Sequence, residues 1–146
     1  RGAAAHGQRG AYLDTLDHDA WNPSDFALHL SRRARGLPFW FSLAAYGERA
    51  YATAIRQTLD TAGKIAEGIA ATDGLDLVLG PQLSVLLFRA VSHDAGALAA
   101  WAETNRRSGA LLCLPTTWHG ETVLRICVVN PSTDPDEVLA VLRTLQ

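Results

Sequence analysis

Residues 69–91 read IAATDGLDLVLGPQLSVLLFRAV. A helical apolar stripe ends in the first few positions, and Thr72-Asp73-Gly74 is a helix stop signal. Beyond Gly74 the pattern changes to period two and short apolar runs. Residues 75–79 read as a strand, Gly80-Pro81 as a turn and residues 83–91 as a second strand. A helix that gives way to adjacent strands, without strict alternation of the two, points to an α+β fold.

Upstream, residues 37–71 carry Trp40, Leu43, Gly47, Ala50, Ala54, Ile55, Leu59, Ala62, Ile65 and Ile69 at steps of three and four, the stripe of one long amphipathic helix. Glu48, Arg49, Arg56, Asp60, Lys64 and Glu67 take the other side, and Pro38 suits a first turn. Residues 1–25 read as irregular, punctuated by Gly2, Gly7, Gly10, Asp14, Asp17, Asp19, Asn22-Pro23 and Asp25. Ser24 or Asp25 could cap a short helical turn over 26–30.

Downstream, 95–107 reads as a helix with Leu98, Trp101 and Ala102 inward, and 110–114 as a third strand. His119-Gly120 reads as a turn and 122–129 as a fourth strand. Residues 134–145 form a closing helix capped by Thr133 or Asp134, with Val138, Leu139, Leu142 and Leu145 inward. The expected layout is loop, long helix, then β-β-α-β-β-α. It gives a small antiparallel sheet with helices on one face. Three regions follow: 1–36, loop and linker; 37–73, connecting helix; 74–146, a small α+β domain.

The chain has 146 residues, enough for one core. Apolar residues make 48% and charged residues 19%, with a net charge of −2, which excludes wholesale disorder and gives no pull towards nucleic acid or anionic membrane. Its stretches free of charge reach only 12 residues, short of the roughly 20 that span a bilayer. Cys113 and Cys127 sit in apolar runs and suit reduced thiols better than a disulfide framework. The chain starts with Arg1 and has no Met, so it reads as a piece of a longer reading frame. Lys64 is the only lysine beside twelve arginines and 24 alanines, a bias expected of a GC-rich bacterial genome.

Most chemical signatures fail. His6, His18, His29, His93 and His119 pair with no other ligand at a metal-binding spacing. Asp17-His18-Asp19 is the densest cluster but lies in a polar loop, so no metal is expected. There is no G-x-S-x-G and no glycine-rich phosphate loop between a strand and a helix. Arg32-Arg33-Ala34-Arg35 could hold carboxylates, phosphates or a partner's surface, but a solvated turn or structural salt bridges is the favoured reading.

Arg125 is more informative. It interrupts the apolar strand Val123-Leu124-Arg125-Ile126-Cys127-Val128-Val129. Alternation puts Val123, Arg125 and Cys127 on one face and Leu124, Ile126 and Val128 on the other. If both faces are covered, the cation requires an anionic partner, either a substrate carboxylate or an ordinary Asp or Glu. Arg89 raises the same question more weakly, near a strand end.

Several segments, in order, form a pattern. Ser31-Arg32-Arg33-Ala34-Arg35-Gly36-Leu37-Pro38-Phe39-Trp40, followed by Tyr46-Gly47, resembles the "(S/G)RR-x-x-x-L-x-x-W" segment of the group II pyridoxal-phosphate decarboxylases. That family includes the aromatic-L-amino-acid, glutamate and 2,4-diaminobutyrate decarboxylases. Val85-Leu86-Leu87-Phe88-Arg89 resembles its apolar strand ending in Phe-Arg. Residues 123–133, VLRICVVNPST, resemble its "LR-x-x-x-x-NP-x-T" strand and turn, and Ala11-Tyr12-Leu13 its catalytic loop.

The resemblance implies a cytoplasmic fold-type I enzyme, a homodimer with active sites at the subunit interface, acting on an L-amino acid and using pyridoxal 5'-phosphate as electron sink. This chain then corresponds to its C-terminal third, the loop, long helix and small domain. The Schiff-base lysine, in a His-Lys pair, belongs ahead of Arg1, as do most cofactor contacts. Lys64 lies mid-helix after Gly63 and does not replace it. Tyr12 matches the loop tyrosine linked to protonating the substrate carbon after CO2 leaves. A tyrosine there, in place of the phenylalanine of aldehyde synthases, implies simple decarboxylation. Arg125 matches the arginine that pairs with a substrate carboxylate in the glutamate decarboxylase branch. On this basis the isolated chain is expected to be inactive. The alternative is a non-catalytic α+β module for small-molecule binding or dimerisation.

Overall fold

The computed structural model describes residues 33–145. They belong to two units that part between Ala45 and Tyr46. In the first, the chain enters α1 (Gly36–Ala70) with Pro38 in the opening turn, where its missing N–H is no loss. Leu37, Phe39, Trp40 and Phe41 are all half or more exposed. The Trp40 and Phe41 rings meet edge-on with centroids 5.0 Å apart.

The sequence pattern predicts one unbroken helix here. Instead Gly47, just inside the second unit, leaves helical geometry at φ 78° and ψ 162°. That region of backbone space is essentially reserved for glycine. The stripe of threes and fours passes through Gly47 without registering it, because periodicity reads side chains and glycine has none.

Beyond the break, α1 buries Thr61, Ala62, Ile65, Ala66 and Ile69. The chain continues through β1 (Leu75–Gln82), β2 (Val85–Ala90), α2 (Ala95–Ser108), β3 (Leu114–Trp118), β4 (Glu121–Cys127) and α3 (Pro135–Leu142), and ends in a 3-10 turn, Arg143–Leu145. The four strands form one sheet in the order β1-β2-β4-β3, antiparallel at every pair. Leu86, Phe88, Leu124 and Ile126 point from one face into a single core. They meet Ala62, Ile65 and Ile69 of α1, Leu98 of α2 and Val138, Leu139 and Leu142 of α3. The expected α+β arrangement, an antiparallel sheet with helices on one face, is therefore present.

The helix ends follow their caps. The Asp94 carboxylate accepts from the Ala97 N–H at 2.8 Å, and Gly109 closes α2 in the left-handed region at φ 77°. Asp134, one of the two expected caps, accepts from Asp136 N–H at 2.8 Å. α1 and α3 approach closely at Gly68, where an added Cβ would overlap the Leu139 side chain, 2.6 Å from its Cδ2.

Three boundaries differ from expectation. Gly80-Pro81 is not a turn: β1 runs through it to Gln82, and the chain reverses at Leu83-Ser84, with Leu83 at φ 56°. β1 is an edge strand, so the N–H that Pro81 lacks is tolerable there, and two register shifts accommodate the pair. The third strand is Leu114–Trp118, later than expected, and Cys113 is buried in the core from the loop before it. The fourth strand ends at Cys127. The turn at His119-Gly120 is present, both residues having positive φ, of 48° and 84°.

Candidate functional site

The face of the sheet opposite the core carries the candidate residue. β4 is an interior strand, paired with β2 on one side and β3 on the other. Alternation places Val123, Arg125 and Cys127 on this face, as the sequence predicts. Arg125 stands directly across from Leu87 on β2 and Leu114 on β3. Two flanking strands thus fix its backbone, which is how a sheet positions a side chain more closely than a loop does.

The side chain is exposed. Among the described residues it has no hydrogen bond and no ion pair. The requirement for a protein counter-ion does not arise, because the guanidinium is solvated. What surrounds it is apolar: Leu87 and Val123 are buried and Leu114 is half-exposed. An unpartnered guanidinium within aliphatic neighbours is suited to a planar anion such as a carboxylate, which it grips through two parallel N–H donors.

Arg89 contrasts with it. It sits on β2 in register with Asp76 of β1. Its Nε and Nη2 donate to Asp76 Oδ2 at 2.9 and 2.6 Å, and its Nη1 to Glu121 Oε2 at 2.8 Å. The hydrogen bond to Asp76, then the charges of Asp76 and Glu121, raise its pKa further. Arg89 is a cross-strand tie over β1, β2 and β4 and is committed to the protein.

Tyr12 lies outside the described residues, as does Arg32. Arg33 and Arg35 are exposed, and neither forms an ion pair among the described residues. Lys64 is exposed on α1. Among the described residues no cluster of three His, Cys, Asp or Glu could hold a metal. Cys113 and Cys127 are free thiols, the first buried and the second exposed. Burial pushes the Cys113 thiol up to about 12, with a smaller contribution from Cys127.

Two features escaped the sequence. His93 Nδ1 is buried with no partner among the described residues, and nothing in the local sequence signals it. An apolar pocket of about 340 Å³ lies between α1 and the end of the sheet, lined by Ile55, Leu59, Leu83, Val128, Val129 and Pro131 among others. It depends on the reversal at Leu83, which the sequence does not mark. No charged side chain lines it, and it contains neither Arg125 nor Arg89.

No family model matches the chain. Individual proteins do. An aromatic-L-amino-acid decarboxylase of Bacillus atrophaeus is 24% identical over 132 residues, 86% of this chain and 28% of that protein. An L-2,4-diaminobutyrate decarboxylase of Rhizobium meliloti is 28% identical over 134 residues, 88% of this chain and 27% of that protein. Among solved structures, Oryza sativa TDC with PLP and tryptamine superposes with a TM-score of 0.77 at 20% identity, over 98% of this chain and 32% of that one. Mouse CSAD superposes with a TM-score of 0.73 at 19% identity, over 99% of this chain and 34% of that one. The chain thus spans between a quarter and about a third of the length of these relatives.

Proposed function

We propose, from its likeness to group II pyridoxal-phosphate-dependent decarboxylases, that the chain forms the C-terminal part of an L-amino-acid decarboxylase, a carboxy-lyase that releases CO2 and an amine. The observation that carries the reading is Arg125, an exposed guanidinium with no partner among the described residues, held on an interior strand within the run VLRICVVNPST. In this reading Arg125 holds a carboxylate of the amino-acid substrate. Its aliphatic neighbours lower the local dielectric and strengthen that pairing. Tyr12 donates a proton to the carbon that has lost CO2. A phenol has a pKa of about 10 and so keeps its proton at neutral pH, which suits a donor held close to its target. The loop that carries Tyr12 excludes water when it closes.

The described residues do not form a cradle for pyridoxal phosphate. The only lysine, Lys64, is exposed and follows Gly63. The N-terminus of α2 is already capped by the Asp94 carboxylate, and the first turn of α3 carries Asp136 and Glu137, so neither attracts a phosphate. The reading therefore assigns cofactor binding and the Schiff-base lysine to other parts of the enzyme, and the isolated 146-residue chain is inactive. A homodimer and a cytoplasmic location belong to the same reading. No helix among the described residues is long and apolar enough to cross a membrane.

The test begins with the parent gene and the assay of its full-length product for CO2 release from aromatic L-amino acids, L-histidine, L-2,4-diaminobutyrate and L-glutamate. The full-length protein should turn over at least one of them, and the 146-residue chain none. Arg125→Met should lower kcat/KM by about ten- to a hundredfold, the worth of a charged hydrogen bond, with Tm unchanged. Arg125→Lys should restore part of it. A full-length protein without CO2 release, or a fully active Arg125→Met, would overturn the reading. A gene encoding only this chain would instead favour a binding module.

A further inference from the structure

We infer that the apolar pocket between α1 and the end of the sheet is an interface, and that it seats uncharged apolar side chains from the part of the parent polypeptide that lies outside these 146 residues. One element of the proposed reading underlies this, that the chain is a piece of a longer enzyme; the reaction does not enter.

Three segments of the second unit build the pocket. α1 supplies Ile55 and Leu59, one turn apart on one helix face. The reversal between β1 and β2 supplies Leu83 and Ser84, and the chain beyond β4 supplies Val128 and Val129. The Val128 N–H donates to the Ser84 carbonyl at 2.9 Å, which pins the reversal and the end of β4 side by side. Those two walls are therefore set by the sheet itself.

Leu83 and Val129 are the most exposed large apolar side chains among the described residues, at 81% each, and Ile55 is 57% exposed. All three border the same pocket. Apolar side chains exposed singly need no explanation, but a cluster of them marks an interaction site. Leu83 is the strongest signal. Its φ of 56° lies in the left-handed region, which suits Gly, Asn or Asp and is unfavourable for a bulky residue. A leucine there disfavours the isolated fold twice, through backbone strain and through apolar surface left in water. Turn chemistry does not account for it, and neither does the core. A contact that buries the side chain does.

The lining selects the occupant. No charged side chain borders the pocket, and the Thr58 hydroxyl already donates to the Ile55 carbonyl at 2.8 Å. An amino-acid zwitterion or a phosphate would leave its charges unpaired here. Side chains such as leucine or phenylalanine would not. The length of the relatives identifies the source. The chain spans between 27% and 34% of the proteins and solved structures described above, so most of a polypeptide of that length lies outside it.

The test is the reactivity of single thiols in two contexts, the 146-residue chain and its full-length parent. Leu83→Cys and Val129→Cys are made one at a time together with Cys127→Ser, which removes the exposed native thiol; Cys113 is buried. Modification by N-ethylmaleimide is followed at each site by peptide mass spectrometry. Both thiols should react freely in the isolated chain and on the order of tenfold or more slowly in the parent, where reaction requires local opening. Leu83→Asn gives a second readout. Asparagine tolerates positive φ, so the isolated chain should keep or raise its Tm while that of the parent falls. Equal thiol rates in chain and parent would overturn the proposal, because the pocket would then be open in both. So would a gene that encodes only this chain, or a Leu83→Asn that lowers the Tm of the isolated chain as much as that of the parent. Slowing in the isolated chain that grows with its concentration would assign the pocket to a second copy. Slowing in the parent that requires added pyridoxal phosphate or amino acid would assign it to a ligand. Either result overturns the proposal. A parent that shields both thiols but releases no CO2 would instead sink the decarboxylase reading and leave the interface standing.

Discussion

Glu103 accepts from Arg106 Nε at 2.7 Å and from Arg107 Nε at 2.6 Å. The two arginines are three and four residues further along α2, the favoured order for a carboxylate and a cation on one helix face. They also lie in its last turn, where the exposed carbonyls favour positive charge. The hydrogen bond from Arg106, then that from Arg107, lowers the Glu103 pKa from 4.5 to about 2. A carboxyl depressed in the folded state stabilises it at pH values above the unfolded pKa. That contribution is lost as pH falls through the window from 4.5 to about 2. Glu103 lies on the surface, so the contribution is small and weakens with salt. A carboxyl NMR titration at low ionic strength should place the Glu103 midpoint well below those of unpaired glutamates. Glu103→Gln should reduce the loss of α2 helicity across the same window. A midpoint in the ordinary range would refute this. The contrast with Arg125 is instructive. Arg89 and Glu103 have their counter-charges among the described residues, and Arg125 has none among them, although all three are surface groups on regular elements.

Gly68 governs the packing of α1 against α3. The Leu139 side chain occupies the space in which a Cβ would sit, and Leu139 itself is buried in the core. Gly68→Ala therefore has two opposed effects. Alanine favours the helix by roughly 1 kcal/mol over glycine. Overpacking a filled core is unfavourable by roughly 1–3 kcal/mol. Overpacking is expected to win, giving a net loss on the order of 1 kcal/mol in urea unfolding. Gly63→Ala, where a Cβ meets nothing within 4 Å, should stabilise instead. Equal effects at the two sites would refute the packing account. The same elements show what the sequence discloses. The stripe Ala62, Ile65, Ile69 and the alternation Leu124, Arg125, Ile126 were legible because a buried face imposes its period on the residues. The reversal at Leu83-Ser84 was not, because Leu83 takes a positive φ that no local signal marks, while Gly80-Pro81 mimics a turn inside an edge strand. The break at Gly47 was hidden for the same reason: backbone conformation at one residue leaves no periodic trace. Of the candidate site, the face that carries Arg125 was legible. Its lack of an ion pair among the described residues was not, since that depends on where distant carboxylates such as Asp76 and Glu121 lie, and both are held by Arg89.

The core cluster is drawn entirely from residues 62–145, and the helix caps and strand pairs that frame it are equally confined to the second unit. Residues 33–45 contribute nothing to it. A unit with its own core and its own sheet has what it needs to fold alone. It is also large enough, near a hundred residues, for burial to outweigh chain entropy without disulfides or metals. A chain beginning at Tyr46 should therefore unfold in a single cooperative urea transition, with dispersed methyl resonances from the core residues Ile65, Leu86 and Leu124. Its slope against urea should match the surface that this unit alone exposes on unfolding. The Arg125 face would persist in such a fragment, since β2, β3 and β4 fix it without help from earlier residues. A truncated chain with a broad, non-cooperative transition would mean that residues 1–45 complete the core. The small domain would then be a folding partner of the segment before it, and no longer an independent support on which the Arg125 site is built.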